Sequence, residues 1–214
     1  ALSSIEEVDV WLRVNGAGTR WHKEDLRLAR ESGVKGVVLP KAESRRELDV
    51  LRETLGPDQA RIALVETATG IRAAYEIAEA CDRIIFGSVD YVLDLGCEPS
   101  RDACLMARST LVIASRAARI AAPLDGITAK IDEEALIRSD AVYARGLGFG
   151  GKILIHPKQI APSRTGFAPD PDIAAWARKV LAASGGGEAR SVDGEMIDAP
   201  VIERARAILR LLGE

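Results

Sequence analysis

The chain has 214 residues, a formal net charge of −3, 47% hydrophobic and 29% charged residues, and only 4% aromatics. This is the composition of an ordinary globular domain with enough chain to bury a core, and it excludes disordered, collagen-like and coiled-coil readings. With no basic stretch, few aromatics to stack on bases and no apolar run near the ~18 residues of a membrane span, neither nucleic acid nor a membrane is expected as a partner.

The first ten residues (ALSSIEEVDV) are acidic and carry no apolar signal core. Residues 11–15 read as a first strand, followed by a helix over 23–31. A second strand over 36–40 leads into a helix over 44–55, with Leu48, Leu51 and Leu55 on one face. A third strand, 61–66, precedes a helix over 70–79, and a fourth, 83–87, precedes a long apolar helix over 102–121. A weaker fifth strand over 123–127, a helix over 133–147 and a sixth strand over 152–156 complete the alternation. Each strand is short and apolar on both faces, the mark of parallel strands covered on both sides. Beyond about residue 165 the pattern becomes a helix over 172–183, a flexible break at 184–187, a loop over 191–200 and a closing helix over 201–212. Residues 1–165 are therefore assigned to a parallel β/α unit. Residues 166–214 form a C-terminal helical extension that packs on it or reaches a neighbouring subunit.

Two α/β architectures compete, an open doubly wound sheet and a (β/α)8 barrel. A nucleotide-binding open sheet wants a glycine-rich turn after its first strand, and Gly16-Ala17-Gly18 is a weak match with no acid ending the next strand. Polar groups at several strand ends (Arg13, Lys41, Glu66, Asp90, His156) favour a barrel, of which six strands are visible.

Glu66 ends a buried strand, where a charge is costly unless paired or bound to a metal; the plainer reading is a salt-bridged Glu beside a capping Thr67. Asp90 follows the next strand. In a barrel the two carboxylates share one rim and could hold a hard cation such as Mg2+, or Asp90 could simply cap the segment after it. Asp94 reads as a cap or turn residue. Arg13 could clamp a carboxylate or enolate oxygen with its forked donors, or form a structural ion pair. Lys41 could meet an acidic substrate or be solvated. His156 reads as structural, and His22 shows no partner pattern. No GxSxG, HExxH or P-loop occurs. Cys81, Cys97 and Cys104 form no CxxC pair and read as reduced thiols of a cytoplasmic protein.

Taken in order, Arg13-Val14-Asn15, residues 36–41 (GVVLPK), residues 63–67 (ALVET), residues 87–90 (GSVD) with Asp94-Leu95-Gly96, Gly150-Gly151-Lys152 with Ile155-His156-Pro157, and residues 194–200 (GEMIDAP) resemble the citrate lyase β-subunit-like branch of the HpcH/HpaI aldolase superfamily. The resemblance spans nearly the whole chain. It implies a TIM-type (β/α)8 barrel in homotrimers or hexamers, and Mg2+-dependent cleavage of a C–C bond beside an acyl-CoA thioester. By that resemblance Glu66 and Asp90 match the metal carboxylates, and Glu66 also faces substrate. Arg13 matches the arginine that holds substrate and stabilises the enolate oxygen. Asp198 matches a C-terminal acid that enters the adjacent subunit's site as proton donor or acceptor. Family members open with two further strands, the second ending in a Leu-Asp-Leu-Glu-Asp type motif beside the metal. This chain begins near the third, as a partial chain or a shortened relative. The implied substrates are malyl-, citramalyl- or citryl-CoA. The alternatives are the β-subunit of a citrate lyase complex acting on an acyl-carrier-protein thioester, a thioesterase side activity, and a non-catalytic relative.

Overall fold

The apolar runs form six parallel strands: β1 (Trp11–Arg13), β2 (Gly36–Leu39), β3 (Ala60–Val65), β4 (Arg83–Phe86), β5 (Leu124–Asp125) and β6 (Gly151–Lys152). The structure, a computed structural model, describes residues 9–184, 190–192 and 195–213. The strands are hydrogen-bonded in strict chain order, β1 to β6. A doubly wound sheet reverses its order at a switch point. This sheet has no reversal, so right-handed crossovers bring every intervening helix to one face and curl the sheet into a half-barrel. The open doubly wound alternative is thereby set aside.

Helices α1 (His22–Glu31), α2 (Arg45–Thr54), α3 (Ala68–Arg72), α4 (Ala74–Ala78), α5 (Ser88–Leu95), α6 (Arg101–Ala117) and α7 (Glu134–Leu147) occupy the crossovers. Alternation along the strands builds two apolar layers. Val37, Leu39, Ala63, Val65, Ile84 and Phe86 join Leu26, Leu48, Leu51, Ile77 and Leu111 of the helices in the main core. The neighbouring strand positions, Ile62, Leu64 and Ile85 with Val38, Leu124 and Ile153, form a second cluster on the concave face. This is why the strands read as apolar on both sides. Burial of the larger core side chains stabilises by about 1.5–3 kcal/mol each.

Local signals set the helix starts. Glu47 Oε2 accepts the N–H groups of Ser44 (3.0 Å) and Glu43 (2.8 Å), closing the start of α2. Ser100 Oγ accepts from Ala103 N at 3.1 Å at the start of α6. Gly96 and Gly148 end α5 and α7 in the left-handed region that glycine tolerates, with φ of 67° and 103°.

Several boundaries differ from the sequence reading. The helix expected over 70–79 begins earlier, because Thr67 caps it, and is divided at Ala73 into α3 and α4. The fifth and sixth strands are only two residues each, although Gly150 N to Pro123 O and Ile153 N to Asp125 O (both 2.9 Å) continue their ladder. His156 leaves the strand and accepts from Lys158 N at 3.2 Å, capping a 3-10 turn (Pro157–Gln159) that leads into α8 (Ile160–Phe167). It is structural, as expected. The loop expected over 191–200 is instead an antiparallel pair, β7 (Arg190–Val192) and β8 (Glu195–Ile197), followed by α10 (Ala199–Arg210). In the sequence, the Asp-Gly dipeptide at 193–194 is a hairpin signal. Residues 193–194, and 185–187 of the expected break, lie outside the described residues. α9 (Pro171–Ser184) and α10 pack on each other around a small core of their own, with Ala177, Val180, Ile197, Ala205 and Leu209.

Candidate active site

Glu66 follows β3 on the same side as Ile62 and Leu64, which places its carboxylate at the concave, C-terminal rim. It is only 5% exposed. Its Oε1 accepts the backbone N–H of Lys41 at 2.9 Å. Lys41 stands just past β2 with φ at 50°, in the left-handed region that a lysine seldom adopts. The sequence reading weighed the Lys41 side chain; it is the twisted backbone that holds Glu66. Nothing in Leu39-Pro40-Lys41 signals a positive φ, so this role had no sequence cue.

Burial pushes the Glu66 carboxyl above the ordinary range, and the nearby Asp90 charge pushes it further; the Lys41 N–H, the Lys41 charge and the Arg13 charge pull the other way. These interactions bring Arg13, Lys41, Glu66 and Asp90 into one neighbourhood. Arg13 ends β1 in register with Val38, which pairs Ile62 of β3. Asp90 lies in the first turn of α5, where its charge suits the helix dipole, and it is not the cap residue, a position held by Gly87. Among the described residues neither Glu66 nor Asp90 forms an ion pair, so the salt-bridged reading of Glu66 is corrected: the apolar rim offers it no cation in contact.

The surroundings keep this pair in place. Asp94, one turn beyond Asp90, accepts the N–H of Ala68 at 2.8 Å and ties α5 to the start of α3. Thr67 Oγ1 accepts from Gly70 N at 3.1 Å and donates to Glu43 Oε1 at 2.7 Å. Behind Arg13, Asn15 donates through its backbone (2.8 Å) and side chain (2.7 Å) to Asp25 Oδ2, and Asn15 O bonds the buried His22 Nδ1 at 2.7 Å. His22, which showed no sequence pattern, is thus a turn anchor.

Gly87 makes room for the carboxylate. A Cβ there would lie 2.4 Å from Glu66 Cβ and 2.5 Å from Glu66 Oε2. Gly87→Ala is expected to destabilise the fold by about 1–3 kcal/mol and to weaken Mg2+ binding by displacing Glu66. Thermal melting with and without Mg2+ checks both effects.

Among the described residues no group of three or more His, Cys, Asp or Glu is arranged to hold a metal. Two carboxylates are nevertheless a sufficient protein contribution for Mg2+, which keeps several waters and takes one or two acids. Their oxygens are hard donors, and among the described residues neither carboxylate has a salt-bridge partner. The residues present therefore fit Mg2+, with Glu66 and Asp90 as the groups that would hold it.

Asp198 is not among these groups. It is exposed and caps α10, its Oδ1 accepting from Val201 N at 3.1 Å. Among the described residues no helix is long and apolar enough to cross a membrane. The three cysteines are free thiols.

A family model, HpcH/HpaI aldolase/citrate lyase, matches residues 2–157. The chain is 34% identical over 223 residues to the citrate lyase subunit beta of Escherichia coli, covering 95% of this chain and 74% of that protein. It is 28% identical over 201 residues to the (3S)-malyl-CoA thioesterase of Cereibacter sphaeroides, covering 92% of this chain and 70% of that one. The crystal structure of protein CitE from Mycobacterium tuberculosis in complex with magnesium, acetoacetate and coenzyme A superposes with a TM-score of 0.85 at 34% identity, over 95% of this chain and 78% of that one.

Proposed function

Because the chain belongs to the HpcH/HpaI aldolase/citrate lyase family of carbon–carbon lyases, we propose that it cleaves a hydroxyacyl-CoA thioester of the malyl-, citramalyl- or citryl-CoA type, using Mg2+, to a keto acid and an acyl-CoA. The observation that carries this reading is the buried Glu66 carboxylate beside Asp90, with the Arg13 charge in the same neighbourhood. We read the half-barrel as six strands of a (β/α)8 barrel, and the native assembly as a cytoplasmic homotrimer or hexamer.

Glu66 and Asp90 would hold the Mg2+, which would supply Lewis-acid polarisation of the substrate there. Glu66 and Asp90 would face the keto-acid half of the substrate, with the apolar cluster of Ile62, Leu64 and Ile85 beneath them. The hydroxyl proton leaves to a base, the C–C bond breaks, and its electron pair passes into the thioester to form an enolate. Arg13 offsets the negative charge that develops on the enolate oxygen. Asp198, exposed on its helix cap, is assigned to the neighbouring subunit's site, where its carboxyl group passes a proton to the enolate carbon.

A panel of hydroxyacyl-CoA thioesters, assayed with Mg2+ and with chelator, tests the reading. Keto acid should appear only with Mg2+. Arg13→Lys should lower kcat by about 10²–10³-fold with a smaller change in KM, because the fork is needed only as charge develops. Release of free CoA and intact hydroxy acid, with no keto acid, would establish instead the thioesterase reading, which the Cereibacter sphaeroides relative favours. Activity confined to an acyl-carrier-protein thioester would establish the complex-subunit reading, favoured by the Escherichia coli relative.

A further inference from the structure

On the opposite side of α5 from Asp90 lies a cavity of about 600 Å³, bounded by α5, α6, the segment after β5, and α7. Its polar wall is a network of charges. Arg108 Nε donates to Asp125 Oδ1 at 2.9 Å, with those side chains 12% and 3% exposed. Arg101 Nη2 donates to Asp140 Oδ1 at 3.0 Å. Lys152 Nζ donates to Thr128 Oγ1, which in turn donates to Asp140 Oδ2 at 2.8 Å. Both arginines lie over the Tyr143 ring, at 4.6 Å (Arg101) and 5.5 Å (Arg108) from its centroid, and so are fixed in direction.

The charges do not balance. Three cations (Arg101, Arg108, Lys152) face two carboxylates (Asp125, Asp140), and each arginine already has its partner. Lys130 at the rim is matched by Glu133 at 3.5 Å. Among the described residues Lys152 has no carboxylate in salt-bridge contact and reaches Asp140 only through the Thr128 hydroxyl. Burial holds its ammonium below the ordinary lysine range. Uncharged residues line the rest, among them the apolar Val89, Val92 and Leu93 on α5 and Ile127 and Leu136. Leu93 is 80% exposed, a large apolar side chain with no cover.

We propose that this cavity is a second ligand site, taking a small monocarboxylic acid with a short apolar tail. The carboxylate completes the network at Lys152, and the tail lies along the apolar face of α5. One negative charge is what the network lacks, and a cavity of this size suits a small organic ligand. The site is distinct from the Glu66 rim, because α5 stands between them with Asp90 and Asp94 on its other face. Its occupant would therefore touch the helix that carries Asp90.

Calorimetric titration of the full chain with hexanoate, in chelator so that no metal bridges ligand to Glu66, tests the proposal. Saturable 1:1 binding is expected. Lys152→Met should weaken it by about ten-fold or more, as loss of a charge-assisted contact does. Leu136→Trp, which fills the mouth of the cavity, should also abolish it, and Glu66→Gln should leave it unchanged. Hexanol and inorganic phosphate should each bind more weakly than hexanoate, since one lacks the charge and the other the tail. No hexanoate binding, equal affinity in both cavity variants, equal affinity for hexanol, preference for phosphate, or loss of binding in Glu66→Gln would each overturn the assignment. Loss in Glu66→Gln would transfer the binding to the rim and leave the lyase reading standing.

Discussion

Glu66→Gln is expected to remove Mg2+-dependent cleavage while leaving the fold intact. Loss of an outer partner of a metal ligand costs roughly 10–100-fold in affinity or activity, so loss of a ligand itself should cost at least about 100-fold. The amide keeps the shape, and its oxygen still accepts from Lys41 N. The stability effect runs in the opposite direction. The folded chain holds the Glu66 carboxyl above its ordinary range. Between the ordinary carboxylate value and the raised one, the folded state binds a proton that the unfolded state has released. Stability of the metal-free protein therefore falls as pH rises through that window. Glu66→Gln should flatten this slope and raise Tm in chelator at neutral pH. Added Mg2+ should raise Tm of the parent and not of the variant. Melting curves across pH, with and without Mg2+, read all of this; a variant that still turns over thioester would reject the metal assignment.

The largest loss of stability is expected from Arg108→Met. Asp125 is 2% exposed and Arg108 is its ion-pair partner. Removing one member of a buried pair leaves a charge without compensation, at a cost of about 3–5 kcal/mol. Lys152 also feels the Asp125 charge, which places the loss toward the lower end. Near 200 residues each kcal/mol shifts Tm by about 2–4 °C, so a fall on the order of 10 °C is expected. Arg108→Met combined with Asp125→Asn should recover most of it, because the uncompensated charge is then gone. If the double variant melts no higher than the single one, the stacking of the Arg108 guanidinium over Phe86 is the dominant contribution rather than its pairing with Asp125.

The strands and most crossover helices were legible because burial on both faces writes continuous apolar runs, as in residues 61–65 and 83–86, whereas α5, a short helix directly after β4, had no reading in the sequence. The candidate acids were legible because Glu66 interrupts such a run. Their meeting is an inference from strand order, which the Asp90 charge felt at Glu66 supports. What remained hidden depends on contacts between distant segments. Lys41 acts through a backbone angle that its side chain does not announce. Gly87 matters for the space it leaves beside Glu66. Asp125 reads as one residue of a weak fifth strand until Arg108, seventeen positions earlier, is found against it. Asp198 illustrates the converse. Its local surroundings explain a helix cap and nothing more, so its chemical role rests on likeness to the family.

The strict neighbour-to-neighbour order of the sheet bears on how the molecule is made. Among the described residues every ladder joins strands adjacent in the chain, so each βα unit extends an edge that already exists as it leaves the ribosome. Arg13, Lys41, Glu66 and Asp90 all lie in the first 90 residues. The strand ends that carry these candidate residues can therefore be in place while the C-terminal helices are still being synthesised.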